Sequence, residues 1–142
     1  MTTESLARIA DGLPCGFHDA ELNSLSVDWE QRVAVVLGEA WVPDDGPAEI
    51  YRPFRLSMSG LHKLALPDRP DLQNLGSRYE HVFADAPSCD GMVGWPPDKH
   101  AEEPASSDVP VYSFFVYSWN DFITIQAERA TLTWLGPAYN RK

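Results

Sequence analysis

The chain has 142 residues, of which 44% are apolar and 11% aromatic, and its formal net charge at pH 7 is −10. This length suits a single domain over residues 1–142, and the apolar content is sufficient for a sizeable core, which excludes global disorder. An acidic surface repels phosphate backbones, so we expect no nucleic-acid binding. The charge would suit a basic protein partner, or it would simply aid solubility.

Cysteine content and hydropathy indicate a cytoplasmic protein. Cys15 and Cys89 are too few for a disulfide scaffold and lack the spacing of metal ligands, which favours a reducing compartment. Residues 1–10 include Glu4 and Arg8 and lack the continuous apolar stretch of a secretory signal. No apolar run approaches the roughly 18 residues of a membrane helix. We therefore expect a cytoplasmic protein that contacts no membrane and needs no cofactor.

In the first half of the chain, apolar and polar residues alternate with a period of two, which is typical of half-buried strands. The alternation predicts one strand over residues 24–29 and a second over 33–37, joined by a turn at Glu30-Gln31. It predicts a third strand over residues 54–58. Pro53 precedes this strand and has no N–H to donate, so the strand begins late, carries a bulge or lies at an edge.

Short helices and a long loop are predicted on either side of these strands. Residues 2–10 and 70–75 are expected to form short helices, and residues 79–83 a short strand. Residues 61–66 fit either a strand or an irregular turn. Residues 86–110 contain five prolines and a second concentration of acidic residues, which predicts a long, exposed, acidic loop within the domain.

The C-terminal third predicts a β-hairpin and a further strand. Residues 111–119 are rich in β-branched and aromatic residues, and Asn120-Asp121 separates them from a second apolar run. Residues 131–135 form a last strand, and residues 127–130 are either a short turn or a bulge in one long strand. The predicted class is mainly β, with α+β as the alternative. We expect about seven or eight antiparallel strands in a single sheet, sandwich or open barrel, with one or two short helices.

The densest group of chemically active side chains is His18, Asp19 and Glu21, just before the first predicted strand. These residue types suit an acid–base pair or part of a metal site. In an extended segment Asp19 and Glu21 face one side and His18 the other, which disfavours a site built from all three. Alternatively, His18 and Asp19 fix the entry to the strand by bonding loop amides. We treat the three as a candidate functional cluster and assign no catalytic or metal-binding residue.

A second candidate site lies in the predicted loop over residues 86–110. Trp95 is followed by two prolines and is a candidate anchor for a protein partner. Alternatively, it folds back over the core as a lid. Acidic residues that follow it are candidate contacts for a basic partner: Asp98, Glu102 and Glu103.

The run Phe17-His18-Asp19-Ala20-Glu21-Leu22, with the predicted hairpin over residues 25–37, resembles the start of a loose group of short bacterial proteins. Some of these are classed as immunity proteins of polymorphic toxin systems. Residues 119–128 are similar to the C-terminal part of the same group. The resemblance implies a β-rich domain and brings no catalytic residue with it. The acidic, proline-rich stretch before Val111 departs from the group.

We therefore expect a protein-interaction module, immunity-like or regulatory, that binds a basic partner. A homo-oligomer formed through an edge strand is compatible with this expectation. The alternative is an enzyme, or a metal- or small-ligand-binding protein, that uses His18, Asp19 and Glu21. A small-molecule carrier with an aromatic-lined cavity is a further alternative.

Overall fold

The computed structural model describes residues 8–9, 12–42, 50–65, 73–75, 78–83, 87–93 and 111–140. The predicted mainly β class is confirmed, because the strands form one antiparallel sheet with almost no helix. This sheet closes on itself as a six-strand barrel that carries additional short strands. Within the described ranges, no helix has the length and apolar character needed to cross a membrane.

The described residues contain ten strands and one well-defined 3-10 turn. The turn, Tyr117–Trp119, separates the eighth strand from the ninth. The strands are β1 Pro14–Phe17, β2 Ala20–Asp28, β3 Val33–Trp41, β4 Ile50–Ala65, β5 Gln73–Leu75, β6 Arg78–Val82, β7 Ser88–Val93, β8 Val111–Val116, β9 Asp121–Trp134 and β10 Tyr139–Asn140.

Six strands form the closed ring in the order β2, β3, β4, β9, β8 and β7, after which β7 returns to β2. Every pairing in the ring is antiparallel. β6 pairs with the second half of β2, next to the place where β7 pairs with the first residues of that strand. β5 extends the sheet beyond β6, and β10 pairs with the start of β4.

The joint between β7 and β2, here called the seam, is short. In the described chain Ala20 pairs with Cys89 and Glu21 pairs with Ser88. The N–H of Leu22 then donates to the carbonyl of Pro87 at 3.0 Å. The pairing of β4 with β9, by contrast, extends from Phe54 to Ala65. The barrel is therefore closed at its weakest joint by the first residues of β2.

Phe17, at the end of β1, occupies the interior of the barrel. Its ring centroid lies 5.9 Å from that of Phe54, 5.9 Å from Tyr112 and 5.3 Å from Phe114, in tilted or edge-on contacts. All four residues are buried. A small closed barrel is normally filled by its own side chains. These rings occupy the space in which the aromatic-lined ligand cavity of the carrier alternative would have to lie.

The predicted hairpin of β2 and β3 is confirmed, with its turn at the predicted place. Asp28 Oδ1 accepts hydrogen bonds from the backbone N–H groups of Glu30 at 3.0 Å and Gln31 at 3.2 Å. Arg32 adopts a left-handed conformation with φ of 55°. Its Nε donates to the Leu61 carbonyl at 2.9 Å, and the Leu61 N–H donates back to the Arg32 carbonyl at 3.0 Å. The turn is thereby attached to β4.

Pro53 lies inside β4, which begins earlier than the sequence predicts. Its carbonyl accepts the N–H of Leu135 at 2.9 Å. In an antiparallel strand the N–H and C=O of one residue point to the same edge, so the N–H that proline lacks would point to this edge as well. On that edge β10 pairs with Ile50 and Tyr51, whereas β9 pairs from Phe54 onwards. Pro53 therefore falls in the gap between two partner strands, where a proline removes no ladder hydrogen bond.

Two predicted elements are wrong where the structure describes them. Residues 73–75, predicted as the end of a helix, form β5, and residues 88–93, predicted as part of the loop over 86–110, form β7. Each short strand is held by neighbours that are distant in sequence, and local composition does not encode such pairing. Residues 94–110 lie outside the described residues, as do most of residues 2–10, of which Arg8 and Ile9 are described and helical.

Two alternatives left open by the sequence are decided by the structure. β4 continues as a strand through residues 61–65, and β9 continues without interruption through residues 127–130. The predicted hairpin of β8 and β9 is confirmed by their pairing. Its connection is longer than predicted, because β8 ends at Val116 and the 3-10 turn precedes the left-handed Asn120.

Candidate functional site at one end of the barrel

His18 and Asp19 form the turn between β1 and β2 at one end of the barrel. Asp19 has a φ of 57°, a left-handed conformation that aspartate tolerates better than most residues. The Tyr51 hydroxyl donates to the backbone carbonyl of Asp19 at 3.3 Å. The backbone of the turn is thus fixed to β4, and the two side chains extend from a defined position.

His18 stands between two carboxylates. Its Nε2 lies 3.5 Å from Asp19 Oδ2, and its Nδ1 lies 3.4 Å from Asp90 Oδ2. The three side chains remain 50%, 42% and 44% exposed in the order His18, Asp19, Asp90. A neutral imidazole has one N–H and can donate to one carboxylate, whereas an imidazolium donates to both. The hydrogen bond of Nδ1 with Asp90 links the turn to β7.

Tyr117, the first residue of the 3-10 turn, joins this group. Its hydroxyl donates a hydrogen bond to the Asp19 carboxylate. Partial burial of the hydroxyl, the charges of Asp90 and Asp19, and this hydrogen bond raise the pKa of Tyr117 to about 12. The residue as a whole is still 40% exposed. The phenol is therefore a neutral donor throughout the physiological pH range, with part of its ring facing solvent.

Trp41, the last residue of β3, completes the group. Its ring centroid lies 6.0 Å from that of His18, and the residue is half-buried. Carboxylates attract cations, and the faces of indole and phenol rings add cation–π attraction. The arrangement suits an ammonium or guanidinium group. We call this group the rim, and it consists of His18, Asp19, Trp41, Asp90 and Tyr117.

The seam explains why residues so distant in sequence meet at the rim. Ala20 pairs with Cys89, so the residues next to this pair, Asp19 and Asp90, lie side by side. No sequence spacing links residue 19 to residues 90 and 117, and residue 90 belongs to a segment that composition predicts to be a loop. Asp90 and Tyr117 were therefore missed by sequence reasoning. The pairing of β7 with β2 is the signal that identifies them.

Glu21, the third member of the sequence-predicted cluster, has different neighbours. It lies on the outer face of β2, between the inward-facing, buried Ala20 and Leu22. Across the sheet it is opposite Glu39 of β3, and the Glu39 carboxylate accepts a hydrogen bond from the Tyr139 hydroxyl. The structure brings His18 and Asp19 together at a turn, not in the extended segment considered from the sequence. It places Glu21 within the sheet, between Glu39 of β3 and Ser88 of β7.

The remaining sequence candidates do not add a reactive group to the rim. Among the described residues, no three His, Cys, Asp or Glu side chains are placed to hold a metal ion. Cys89 is buried and free. Burial, reinforced by the charges of Asp90 and Asp19, raises its pKa, and a thiol in this state is a poor nucleophile. Four proposed partner contacts lie outside the described residues: Trp95, Asp98, Glu102 and Glu103.

The opposite end of the barrel carries a second ion pair. His62 Nε2 lies 2.8 Å from Glu128 Oε2, and Arg129 Nη1 lies 3.5 Å from Glu128 Oε1. The Glu128 side chain crosses Gly60, where an added Cβ would come within 2.8 Å of it and where the φ of 65° favours glycine. The hydrogen bond from His62, together with the charges of His62, Arg129 and Arg32, lowers the pKa of Glu128. This pair fixes the bulge between β4 and β9.

The rim thus differs from the rest of the described surface by its combination of carboxylates, a bridging histidine and exposed rings. Its function has to be inferred from its geometry. Comparison of the chain with protein-family models, with curated proteins and with solved structures finds no match.

Proposed function

We propose that this protein is a protein-interaction module, immunity-like or regulatory, that binds a basic partner through the rim. The observation that carries the proposal is the exposure of Asp19 and Asp90 beside the rings of Trp41 and Tyr117. Aromatic residues next to charged groups are typical of interface hot spots. The net charge of −10 would add long-range attraction for a basic surface and accelerate the encounter.

The packing of the barrel also supports a surface function. Four aromatic rings fill its interior, so polar chemistry is concentrated on the outside and at the ends. The immunity-like version of the proposal rests on the resemblance of Phe17–Leu22 and the following hairpin to a loose group of short bacterial proteins, some of which are classed as immunity proteins. A cytoplasmic location belongs to the same proposal, since a protein that neutralises a toxin in its own cell acts there.

The test compares wild type with the double variant Asp19→Asn/Asp90→Asn, using the product of the adjacent gene as the candidate partner in a calorimetric titration. Glu30→Gln/Glu128→Gln is the matched control, because it removes the same charge from exposed residues at the end of the barrel opposite the rim. We expect the rim variant to bind about tenfold or more weakly and to show a reduced salt dependence. The control should bind like wild type.

Three results would contradict the proposal. Equal losses in the rim variant and the control would show that net charge acts without the rim. Unchanged binding in the rim variant would place the interface elsewhere. A purified protein that retains no protein partner but carries a small molecule would favour a ligand-binding function.

Acid–base catalysis is a second candidate function, and one observation favours it. His18 lies between carboxylates at both ring nitrogens, and the Tyr117 phenol bonds to one of them. Such a chain can move a proton to or from a bound molecule. The substitution His18→Asn, which keeps a hydrogen-bonding side chain, separates the two functions. Catalysis predicts complete loss of turnover, whereas partner binding predicts a graded loss of affinity.

A further inference from the structure

The outer face of β3 carries an apolar stripe, formed by Val33, Val35 and Leu37. Buried and half-buried residues alternate along this strand, and these three belong to the half-buried, outward-facing set. The solvent face of an antiparallel strand is ordinarily polar. Three consecutive outward positions of β3 are instead aliphatic. Their side chains do not pack in the core, and apolar surface of this kind often marks an interaction site.

Four serines lie beside the stripe, two on β2 and two on β4, with Asp28 beside Val33 and Arg55 beside Leu37 at its two ends. Val35 is opposite Ser26 of β2 and Ser57 of β4. Because serine is small, the valine side chains remain accessible from above the sheet. An open, shallow groove also follows the edge of the stripe on the β2 side, and residues from β2, β3 and β6 line it, among them Val33, Asp28, Arg78 and Glu80.

The stripe is continuous with the rim. The next outward positions of β3 are Glu39 and Trp41, and Trp41 is itself a member of the rim. From Val33 to Trp41 the strand covers about 26 Å at roughly 3.3 Å per residue. One face of a single strand therefore passes from aliphatic to acidic and aromatic along its length.

We infer that the stripe and the rim form one docking surface for an amphipathic helix of a partner protein, with the basic end of the helix on the rim. This inference rests on the proposed function and specifies what the partner presents. Charge complementarity sets the direction: the rim end carries the acidic side chains Glu39, Asp19 and Asp90. At the other end the acidic Asp28 lies opposite the basic Arg78. A helix of about 18 residues covers this length at roughly 1.5 Å per residue.

The sheet itself selects a helix over an extended segment. β3 pairs with β2 on one side and with β4 on the other along nearly its whole length. An added strand needs a free edge for its backbone hydrogen bonds, and β3 offers none. A helix satisfies its backbone internally and can lay an apolar face on the stripe.

The experiment uses a labelled 18-residue peptide with leucines at helical spacing and three lysines in its terminal turn, titrated with the full chain by fluorescence anisotropy. The stripe variants are Leu37→Ser and the isosteric Val35→Thr. Leu135→Ser is the matched control, since Leu135 is 55% exposed and lies outside β3. We expect the stripe variants to weaken binding about fivefold to tenfold and the control to change it by less than about twofold.

Two altered peptides test the form and direction of the partner. A central proline, which breaks the helix, should reduce affinity by about tenfold or more, and glutamates in place of the three lysines should abolish binding. Equal binding of the proline peptide would overturn the helical occupant. Failure of the lysine peptide to bind wild type, or unchanged binding by both stripe variants, would overturn the inference.

The same titration separates this inference from the proposed function. If Asp19→Asn/Asp90→Asn abolishes binding while Leu37→Ser and Val35→Thr have no effect, the rim binds its partner and the stripe does not. If the stripe variants lose binding and the rim variant does not, the helix docks on β3 and the proposed role of the rim is wrong. Unchanged melting temperatures of the variants establish that each remains folded.

Discussion

Tyr117 reports the charges of the rim, because its pKa is raised by partial burial of the hydroxyl and, in addition, by the carboxylates of Asp90 and Asp19. We predict that Asp19→Asn or Asp90→Asn moves the pKa of Tyr117 from about 12 towards the ordinary value of the phenol, about 10. The measurement is an alkaline titration of the absorbance at 295 nm, in which Tyr117→Phe identifies the transition. A transition that stays at high pH in both asparagine variants would show that partial burial acts alone.

The same raised pKa makes stability depend on alkaline pH. The folded protein holds the Tyr117 proton more tightly than the unfolded chain does, so this contribution is present below the ordinary pKa of about 10 and is lost as pH rises through about 12. Unfolding by denaturant across this range should therefore show a decline that Tyr117→Phe removes.

Glu128 makes the stability of the fold decrease at acid pH, whereas Tyr117 makes it decrease at alkaline pH. Its pKa is lowered by the hydrogen bond from His62, so its ionised form stabilises the fold above the unfolded value of about 4.3, and this contribution disappears as pH falls through the lower, folded pKa. We predict that Glu128→Gln flattens the loss of stability below that pH, as measured by urea unfolding. An acid profile identical to that of wild type would show that the ion pair does not couple to folding.

At the scale of single residues, the sequence predicted two of the five members of the rim, His18 and Asp19. His18 and Asp19 attract attention because two catalytic-type residues stand together before a strand. Asp90 is one of many acids in a segment whose prolines suggest a loop, and Tyr117 is one of several aromatics in a strand-like run. Their functional position depends on which strands pair across the seam, and pairing between distant segments leaves no local pattern.

Within β3, Gly38 has no room for a side chain. A Cβ at this position would overlap the backbone oxygen of Glu21 and come within 2.9 Å of the Phe54 ring. We predict that Gly38→Ala destabilises the protein by about 1–3 kcal/mol, the usual cost of overpacking. Gly12→Ala is the control, because its Cβ would lie 3.5 Å from the nearest atom, the Ile9 carbonyl oxygen. Chemical denaturation measures both, and equal stabilities would contradict the prediction.

The elements that sequence predicted well are those with one face in the core. β3 buries every second residue along its whole length, and β2 does so on either side of the bulge between Leu22 and Ser24. β5 and β7 lack this signal. β7 contains Gly91, over which the Tyr112 side chain lies, and a glycine in this setting suggests a turn although it permits close packing within a strand. Composition therefore predicts the long strands and the short β6, and misses β5 and β7.

The molecule as a whole is stabilised by the interior that Phe17 fills. This ring touches Phe54 of β4 and both Tyr112 and Phe114 of β8, so it connects β1 to two walls of the barrel that flank β9. We predict that Phe17→Ala lowers the free energy of unfolding by about 3–5 kcal/mol, with a smaller loss for Phe17→Leu, which refills part of the cavity. A loss below about 1 kcal/mol in equilibrium unfolding would contradict the assignment of Phe17 to the centre of the core.

The position of the rim on the seam has a mechanical consequence. Asp19 belongs to one side of the joint and Asp90 to the other, directly beside the pair that closes the ring. A cationic group bound by both carboxylates would hold the seam closed, because opening the barrel would separate Asp19 from Asp90. Occupancy at 100 times Kd would raise the free energy of unfolding by about 2.7 kcal/mol, and hydrogen exchange at Leu22 and Cys89 should slow before exchange along β4. Binding of a partner at the rim would then also stabilise the pairing of β7 with β2. Dissociation of that partner would make the seam easier to open.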